Sequence, residues 1–453
     1  MKRKVDVKFD RWVRASKKAL LVSGARQVGK TYSIRECLKR NQCDYVEINL
    51  IEEPDLIPVL DKTLSVDDMI INLSAAANRS IVPGKTIIFI DEVQELKDII
   101  TRIKFWVDDG RFRFILSGSL LGIELRSLRS APVGYIEEYT MYPLDFEEFL
   151  IASGVPENVL SHLKECFHRK KMVGEMVHQK MMKHFYRFLV TGGMPDPVRE
   201  YVESGNMNEV SLIQKNIISL YRRDFTKYEE QNKKLFLEAI YDVIPANLLK
   251  QNKRFNYADL RKGLHYEKVE SSFIWLTAAG VAIPVYNTTE PRLALSQNQK
   301  SSLVKLYGSD VGLLTFQYGN ATRVQILAQN DKINLGGVFE NAVAVELNTH
   351  GFPAFFYNSH RLGELDFLIE YHGHIVPIEV KSGKDYYVHS ALNHVLDNKE
   401  YEIEEAYIFA DCEVSVEGKK NYMPIYLCTF MEEEAELPVL GRLVNEEGMY
   451  EQE

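Results

Sequence analysis

The sequence predicts an α/β protein whose N-terminal part is built around a parallel β-sheet. Two observations support this class. Short β-branched and aromatic runs, long enough for buried strands, recur through residues 1–145, and stretches of helical periodicity separate them. The predicted strands cover residues 18–23, 45–48, 86–90 and 112–116, and an amphipathic helix is expected at 98–107. This alternation implies a parallel sheet with helices on both faces.

The first predicted strand leads into a glycine-rich loop with the spacing G-x-x-x-x-G-K-T. The loop consists of Gly24, Ala25, Arg26, Gln27, Val28, Gly29, Lys30 and Thr31, and a helix is predicted at residues 30–40. In this context backbone N–H groups at the helix N-terminus cradle phosphates. Lys30 is expected to reach the β- and γ-phosphates, and Thr31 to hold Mg²⁺. The sequence therefore predicts that the chain binds ATP with Mg²⁺.

Acidic residues follow the strand predicted at 86–90. Asp91 and Glu92 come at its C-terminal end, the edge at which open α/β sheets bind ligands. Asp91 is expected to hold the magnesium through water, and Glu92 to polarise the attacking water of ATP hydrolysis. Acidic residues after a strand also commonly cap the next helix. Downstream of a phosphate loop we favour the catalytic interpretation, which makes the protein an ATPase.

The strand predicted at 112–116 ends in a polar turn. Ser117 and Ser119 lie there, and either is a candidate for sensing the γ-phosphate. The alternative is an ordinary serine–glycine turn.

Several further segments recur, in this order, in one family. They are SGARQVGKT, IIFIDEVQEL, FILSGSLLG, VGYIEEYTMYPLDFEEFL, TGGMPDPV, SLYRRDFTKY and GELDFLIEYHGHIVPIEVKSG, which run from residue 23 to residue 383. The chain resembles predicted prokaryotic ATPases of the AAA+ superfamily that carry a restriction-endonuclease-like C-terminal domain. An arginine commonly follows the glycine of the PVG segment in that family, whereas Tyr135 stands there in this chain.

The predicted organisation has four parts. They are a P-loop core of AAA+ type at 1–145, a helical lid at 146–230, a winged-helix-like segment at 231–300 and a nuclease-like α/β domain at 301–453. Asp145 and Glu148 form a capping box at the start of the lid.

Arginines in and near the lid have two interpretations. In Tyr221-Arg222-Arg223-Asp224 the arginines are either a nucleotide sensor or finger, or partners of Asp224 in a surface ion pair. Arg126 and Arg129 are the other finger candidates, which a neighbouring copy in a homo-oligomer would use.

The winged-helix prediction rests on three helices, at 234–244, 257–264 and 268–279, followed by a strand at 280–286. Basic residues accompany them: Lys250, Lys253, Arg254, Arg261, Lys262 and Lys268. The third helix would read DNA in the major groove. The alternative is a module for packing or for protein interaction.

The C-terminal part carries a second group of chemical residues. A strand at 364–370, a turn and a returning strand at 375–381 form a hairpin that places Asp366 opposite Glu379 and Lys381, and Glu340 on a helix could approach from the side. The set matches that of PD-(D/E)XK nucleases, which the resemblance also implies. In such a site Asp366 and Glu379 hold Mg²⁺, and Lys381 orients or deprotonates the attacking water. The alternative is an ion pair between Lys381 and either carboxylate.

Composition limits the remaining choices. A length of 453 residues predicts two to four domains. The net charge of −9 provides no overall basic field, so DNA binding would need a local patch. Five scattered cysteines, none in a C-x-x-C pair, argue against a disulfide framework or zinc ribbon and favour a reducing cytoplasm. No apolar run reaches 18 residues, so we expect no membrane partner.

Three classes of function therefore remain open. The first is a magnesium-dependent AAA+ ATPase that moves its lid and C-terminal domain, and the Asp91-Glu92 pair favours it. The second is an ATP-regulated nuclease that uses Asp366, Glu379 and Lys381. The third is a non-catalytic, nucleotide-gated switch or scaffold that binds DNA or protein.

Overall fold

A five-stranded sheet forms the N-terminal core of the protein. The computed structural model describes residues 1–62, 65–96, 99–119, 134–226, 231–330, 332–359 and 363–432. Strands β1 to β5 cover Ala19–Ser23, Tyr45–Asn49, Ile87–Asp91, Arg113–Ser117 and Ile136–Thr140. They pair in the order β2-β3-β4-β1-β5, and every pair is parallel. Helices α1 to α5 cover Val5–Ala15, Lys30–Arg40, Leu56–Lys62, Val66–Ala76 and Ile99–Asp109. The α/β class with a parallel sheet is confirmed.

A purely helical segment follows, as the sequence predicted. Helices α6 to α10 cover Phe146–Ala152, Glu157–Arg169, Glu175–Thr191, Pro195–Ser204 and Met207–Thr226. The capping box at its start is half formed. Asp145 Oδ1 accepts a hydrogen bond of 2.8 Å from the backbone N–H of Glu148. The Glu148 carboxylate does not bond back, because it accepts from Arg3 Nε at 3.0 Å and from the Lys4 backbone N–H at 2.5 Å.

A mixed eight-stranded sheet organises the rest of the described chain. Strands β6 to β13 cover Ala282–Thr288, Gln299–Gly308, Phe355–Ser359, Gly363–Tyr371, His374–Val380, Ala406–Ala410, Ser415–Glu417 and Lys420–Pro424. Their order is β12-β13-β11-β10-β9-β8-β6-β7. Helices α11 to α16 cover Gln231–Leu248, Glu270–Ala278, Val311–Gln317, Asn320–Leu327, Gly336–Thr349 and Ser390–Asp397. No described helix of the protein is both long and apolar enough to span a membrane.

Two elements of the predicted winged helix differ from the structure. The helix predicted at 257–264 is wrong, since only the 3-10 turn Tyr257–Asp259 forms there. Asn256 caps this turn through Ala258 N, and the Tyr257 hydroxyl donates to the backbone oxygen of Ser302 at 3.1 Å. The cap and the hydrogen bond to β7 hold this segment in a non-helical conformation. The strand predicted at 280–286 exists as β6, but it lies between β7 and β8 inside the large sheet.

Close backbone contacts join the two sheets around the glycine loop. A Cβ on Gly24 would overlap the carbonyl oxygen of Met141, and a Cβ on Gly280 would lie 3.1 Å from the backbone nitrogen of Ala25. Gly24 has φ +134° and Gly280 φ +71°, values that side chains rarely adopt. One continuous apolar core runs from β1 through the helical segment to the eight-stranded sheet. The loop is therefore enclosed by backbone from both halves of the chain.

Candidate functional site

The glycine loop connects the end of β1 with the first residue of α2. Gly24, Gln27 and Gly29 all have positive φ angles, of +134°, +65° and +92°. Gly29 precedes α2 and supplies no side-chain cap, so the first N–H groups of the helix are left for another acceptor. A helix N-terminus of this kind attracts anions through its dipole and its free donors. The local backbone is thus that of a phosphate-binding loop.

Lys30 is held over the loop that it follows. Its side chain is almost wholly buried, and Nζ donates to the carbonyl oxygens of Gly24 and Ala25, each at 2.9 Å. Burial lowers the pKa of Lys30 to about 8, although the carboxylates of Glu92 and Asp91 oppose that shift. A phosphate that approaches the loop would exchange these carbonyl contacts for stronger, charge-assisted hydrogen bonds.

Asp91 collects the polar groups at the carboxyl edge of the sheet. Thr31 Oγ1 donates to its Oδ2 at 2.7 Å, and the backbone N–H of Glu92 donates to its Oδ1 at 3.0 Å. The Ser117 hydroxyl also donates to Oδ1, because β3 and β4 are parallel neighbours in which Asp91 stands beside Ser117. Thr31 and Asp91 offer the hard oxygen ligands that suit Mg²⁺. The predicted magnesium ligands and the first sensor candidate therefore lie in one cluster.

Glu92 and Ser119 follow the ends of β3 and β4, next to this cluster. Glu92 leaves β3 with φ +58°, and its Oε2 accepts a hydrogen bond of 2.6 Å from Gln94 Nε2. Sequence reasoning missed Gln94, although its position in the same short turn as Glu92 was available as a signal. Ser119 is buried and lines a small cavity beside Arg26 and Tyr221.

Helix α10 contacts the loop through its last turn. Arg26 Nε lies 2.8 Å from Asp224 Oδ2, and the Tyr221 hydroxyl donates to the Arg26 carbonyl oxygen at 3.4 Å. Arg222 points elsewhere, since its guanidinium pairs with Asp242 at 2.8 Å on the surface. Asp224 thus has a loop arginine as partner, a long-range contact that the local sequence could not reveal. The finger candidates Arg126 and Arg129 lie outside the described residues.

Arg3 and Tyr135 lie at opposite ends of the five-stranded sheet. Arg3, which the sequence analysis did not select, donates to the carbonyl oxygens of Val28 at 3.2 Å and Tyr142 at 2.8 Å and so supports the loop from the N-terminal segment. Tyr135 accepts a backbone hydrogen bond from Ala19, at the start of β1. Its position is therefore at the opposite edge of the sheet from the glycine loop.

The C-terminal hairpin brings its predicted residues together. Strands β9 and β10 are antiparallel, with Phe367 opposite Ile378. Asp366 Oδ2 accepts a hydrogen bond of 3.0 Å from the Val380 backbone N–H, and Lys381 Nζ lies 3.2 Å from Glu379 Oε2. Burial and the nearby Asp366 raise the pKa of Glu379 to about 8.

Two lysines from outside the hairpin enter this acidic group. Lys305 on β7 is completely buried, with Nζ 2.8 Å from Glu364 Oε1 and 3.7 Å from Asp366 Oδ1. Lys253 Nζ lies 2.5 Å from Glu340 Oε1. Burial opposes ionisation of Asp366, but Lys305 and Lys253 outweigh it and hold the pKa of that carboxyl below its usual value. The carboxylates are therefore charge-compensated by lysines.

These contacts also change the interpretation of the basic segment. Besides Lys253, Lys250 pairs with Asp259 at 2.5 Å and Arg254 lies 3.8 Å from Glu364. Half of the basic residues assigned to the winged-helix segment are thus engaged in ion pairs within the chain, and two of them face the acidic hairpin. This arrangement weakens the argument for a DNA-binding patch in that segment.

Comparison with known protein families identifies the N-terminal unit. Residues 16–150 match the model of an AAA domain, and residues 182–323 and 335–428 match two domains of unknown function, DUF8612 and DUF4143. No curated protein matches the chain. The matched AAA domain contains the glycine loop, Asp91 and Ser117. The N-terminal unit of the chain therefore matches AAA domains.

Solved structures show distant similarity. A Walker-type ATPase of Pyrococcus abyssi is 15% identical over 70% of this chain and 95% of its own, with a TM-score of 0.43. The Holliday junction branch migration motor RuvB of Thermotoga maritima is 15% identical over 61% of this chain and 87% of its own, with a TM-score of 0.28.

Proposed function

We propose that this AAA-type ATPase domain hydrolyses ATP with Mg²⁺ and passes its nucleotide state to the eight-stranded sheet. The observation that carries the proposal is the cluster around Asp91, which joins Thr31 of the loop, Ser117 of the neighbouring strand and the backbone of Glu92. Phosphoryl transfer needs positioning and charge compensation more than covalent chemistry; these groups would supply the positioning, and the Lys30 ammonium would supply positive charge.

Each residue has a role that follows from its position. Lys30 and the N–H groups at the start of α2 would bind the phosphates. Thr31 and Asp91 would hold Mg²⁺, which neutralises phosphate charge when bound. Glu92 would orient the attacking water, and Ser117 would sense the γ-phosphate.

Gln94 is assigned here as a positioning residue. It holds the Glu92 carboxylate at 2.6 Å, so the carboxylate must leave this amide or turn with it before it engages water. Gln94→Ala should therefore change the pH profile of turnover while leaving ATP affinity unaltered.

Coupling to the second sheet has a physical basis in two contacts of the loop. The Arg26–Asp224 ion pair joins the loop to the helical segment, and Gly280 backs directly onto Ala25 just before β6 begins. A loop that changes shape around phosphates would disturb both contacts. These contacts support a lid function for residues 146–230.

The decisive experiment measures ATP binding and turnover separately. Glu92→Gln should keep ATP affinity while turnover falls by about 10²-fold or more, since the amide cannot polarise water. Lys30→Ala should weaken ATP binding itself. Glu36→Gln is the matched control, because the Glu36 side chain on α2 is 42% exposed and pairs only with Lys39 among the described residues. Wild-type turnover by Glu92→Gln would disprove the assigned role.

Assembly is a second part of this proposal. AAA+ ATPases complete their sites with an arginine from a neighbouring subunit, which contributes about 10³–10⁵ in rate where it operates. Tyr135 stands where relatives have an arginine, so Arg126, Arg129 or Arg223 would take that role. Turnover per subunit should then fall on dilution, together with the mass measured by light scattering. Flat turnover and a monomeric mass would exclude a homo-oligomeric site.

A metal-dependent nuclease site in the C-terminal unit is the second candidate function. The favouring observation is that two adjacent buried carboxyls have pKa values shifted in opposite directions. The pKa of Glu379 is raised to about 8, and that of Asp366 is lowered. Paired carboxyls with divergent pKa values are typical of catalytic sites. The competing explanation is the set of lysine ion pairs, which would occupy the same oxygens.

Metal titration of the full chain distinguishes these explanations. A metal site predicts that Mg²⁺ or Mn²⁺ raises the melting temperature without ATP, because the ion binds only the folded form. Asp366→Ala should abolish this gain and any nicking of plasmid DNA. Asp397→Ala, an exposed change on α16, is the control. If the metal does not raise the melting temperature and plasmid DNA is not nicked, the lysine ion pairs explain these residues.

A further inference from the structure

A buried group of three side chains lies away from both sites described above. Asp145, Glu346 and His350 each offer a ligand atom, and these atoms all lie within 4.8 Å of one another. It is the only such group of His, Cys, Asp or Glu found in the part of the chain that the structure describes. Asp145 caps the start of α6, whereas Glu346 lies in the last turn of α15 and His350 caps its end. The group therefore joins the helical segment to the eight-stranded unit.

His350 is oriented so that one ring nitrogen faces the two carboxylates. Nδ1 lies 2.8 Å from the carbonyl oxygen of Met431, and because a carbonyl only accepts, Nδ1 must carry the proton. Nε2 then points at Asp145 Oδ2 at 3.1 Å and at Glu346 Oε2 at 3.9 Å. Nε2 faces negative oxygens, so it either carries a second proton and donates to Asp145 or binds a cation that lies between the ring and the carboxylates, and a metal ion would replace that proton. A metal-bound histidine has this arrangement, with its other N–H donated to a backbone carbonyl.

Glu346 provides the independent indication of a missing partner. The side chain is 1% exposed, and Oε1 accepts a hydrogen bond of 2.8 Å from the Phe146 backbone N–H. Oε2 has no hydrogen-bond partner among the described residues, yet it points into the group. A buried carboxylate oxygen without a partner is costly unless a cation compensates it.

We propose that Asp145 Oδ2, Glu346 Oε2 and His350 Nε2 bind one divalent metal ion of the Zn²⁺ class. Bonds of about 2.0–2.1 Å in a tetrahedral site place ligand atoms about 3.3 Å apart, a value that the 3.1 and 3.9 Å separations bracket. The remaining carboxylate oxygens are already fixed, since Asp145 Oδ1 accepts from Glu148 N and Glu346 Oε1 from Phe146 N. The site thus has three protein ligands whose orientation is set by their other hydrogen bonds.

An access route and a competitor are both present. A cavity of about 660 Å³ opens onto Asp145 and His350, and it would admit the ion and a water as fourth ligand. Lys4 Nζ lies 2.9 Å from Asp145 Oδ2, where its ammonium occupies the same oxygen. Lys4 also reaches Glu147 at 2.7 Å and Glu432 at 3.1 Å, so it keeps two partners when the metal takes Asp145. The metal would cross-link the helical segment to the end of α15.

The test uses the full chain, stripped with a chelator and titrated with Co²⁺ as a spectroscopic substitute for Zn²⁺, without ATP or Mg²⁺. One equivalent that depends on His350 should bind, with the visible absorption of a four- or five-coordinate site. His350→Gln and Glu346→Gln should each weaken binding by about 100-fold. His374→Gln should leave it unchanged, because His374 is half exposed on the rim of β10, 3.9 Å from Glu404.

A gain of affinity provides the second arm, which does not depend on the folding of the buried variants. Lys4→Gln removes the competing ammonium, so it should tighten Co²⁺ binding by about tenfold. X-ray absorption of the Zn²⁺-loaded wild type should show nitrogen and oxygen ligands, including one imidazole. Unchanged or weaker binding by Lys4→Gln, sulfur ligation, or Co²⁺ affinity that survives His350→Gln would each overturn the proposal.

Discussion

Replacement of Lys305 by methionine tests the charge balance of the acidic hairpin. Lys305 is fully buried, and its ammonium serves Glu364 at 2.8 Å and Asp366 at 3.7 Å. Methionine has a similar length and no charge, so the change removes the cation with little change in packing. Two carboxylates are then left without their main compensating charge.

The expected loss of stability is large compared with that of a surface ion pair. Removal of one partner from a buried pair costs about 3–5 kcal/mol, whereas an exposed pair contributes about 0–1 kcal/mol. In a cooperative unit of about 200 residues this corresponds to a fall in melting temperature of about 10 °C. Lys381→Met provides an internal comparison, because Lys381 is 30% exposed and lies 3.2 Å from a single carboxylate, that of Glu379.

The loss should depend on pH in a definite direction. In the wild type Lys305 helps to hold the pKa of Asp366 below its usual value, so the stability that Asp366 contributes persists above pH 3.8 and is lost only as pH falls through that lowered pKa. Without Lys305 the pKa of Asp366 in the folded state rises. Protonation then removes the uncompensated charge of Asp366 at a higher pH in the variant than in the wild type. The gap between wild type and variant should therefore shrink from pH 8 to pH 5.

Thermal melts of wild type, Lys305→Met, Lys381→Met and the surface control Lys39→Met, in matched buffers at both pH values, measure this effect. Lys39 is exposed and pairs with Glu36 one helical turn away. A Lys305→Met penalty below about 1 kcal/mol at pH 8, or one that is the same at pH 5, would refute the reasoning.

Three further changes test other contacts. Because the pKa of Glu379 is raised from 4.5 to about 8, wild-type stability should fall as the pH rises from 4.5 to 8. Glu379→Gln should therefore have a higher melting temperature than wild type at pH 9, and equal melting temperatures would contradict this. Gly24→Ala should weaken ATP binding by more than about tenfold, since the loop must move, whereas Gly84→Ala, whose Cβ meets nothing within 4 Å, should not. Asp224→Asn should tighten ATP binding about threefold or more by releasing the Arg26 charge beside the phosphates; weaker binding measured by calorimetry would exclude that role.

Local sequence signals predicted the N-terminal sheet well. The strands expected at 18–23 and 86–90 form as Ala19–Ser23 and Ile87–Asp91, since an apolar run that ends at a glycine loop or an acidic pair marks its own boundary. The same reasoning failed at residues 257–264. Helical periodicity was present there, but a local cap by Asn256 and a hydrogen bond from Tyr257 to β7, distant in sequence, hold the segment as a single 3-10 turn.

The candidate sites show the same division between local and long-range information. Residues within one motif, such as Lys30 and Asp366, could be selected from spacing alone. Lys305 could not, because it faces Asp366 only after β7 and β9 have joined one sheet. The His350 group was equally invisible, since Asp145 was selected only as a helix cap and lies 205 residues from His350.

The contact between Gly280 and Ala25 has a consequence for partners of the second sheet. A Cβ on Gly280 would lie 3.1 Å from the Ala25 nitrogen, so neither backbone can move toward the other without displacing it. A ligand that binds the eight-stranded sheet and displaces Gly280 must change the affinity of the loop for ATP, and thermodynamic linkage requires ATP to change that ligand's affinity by the same factor. A screen for the unknown partner can therefore be run in reverse, by measuring which candidates alter ATP affinity.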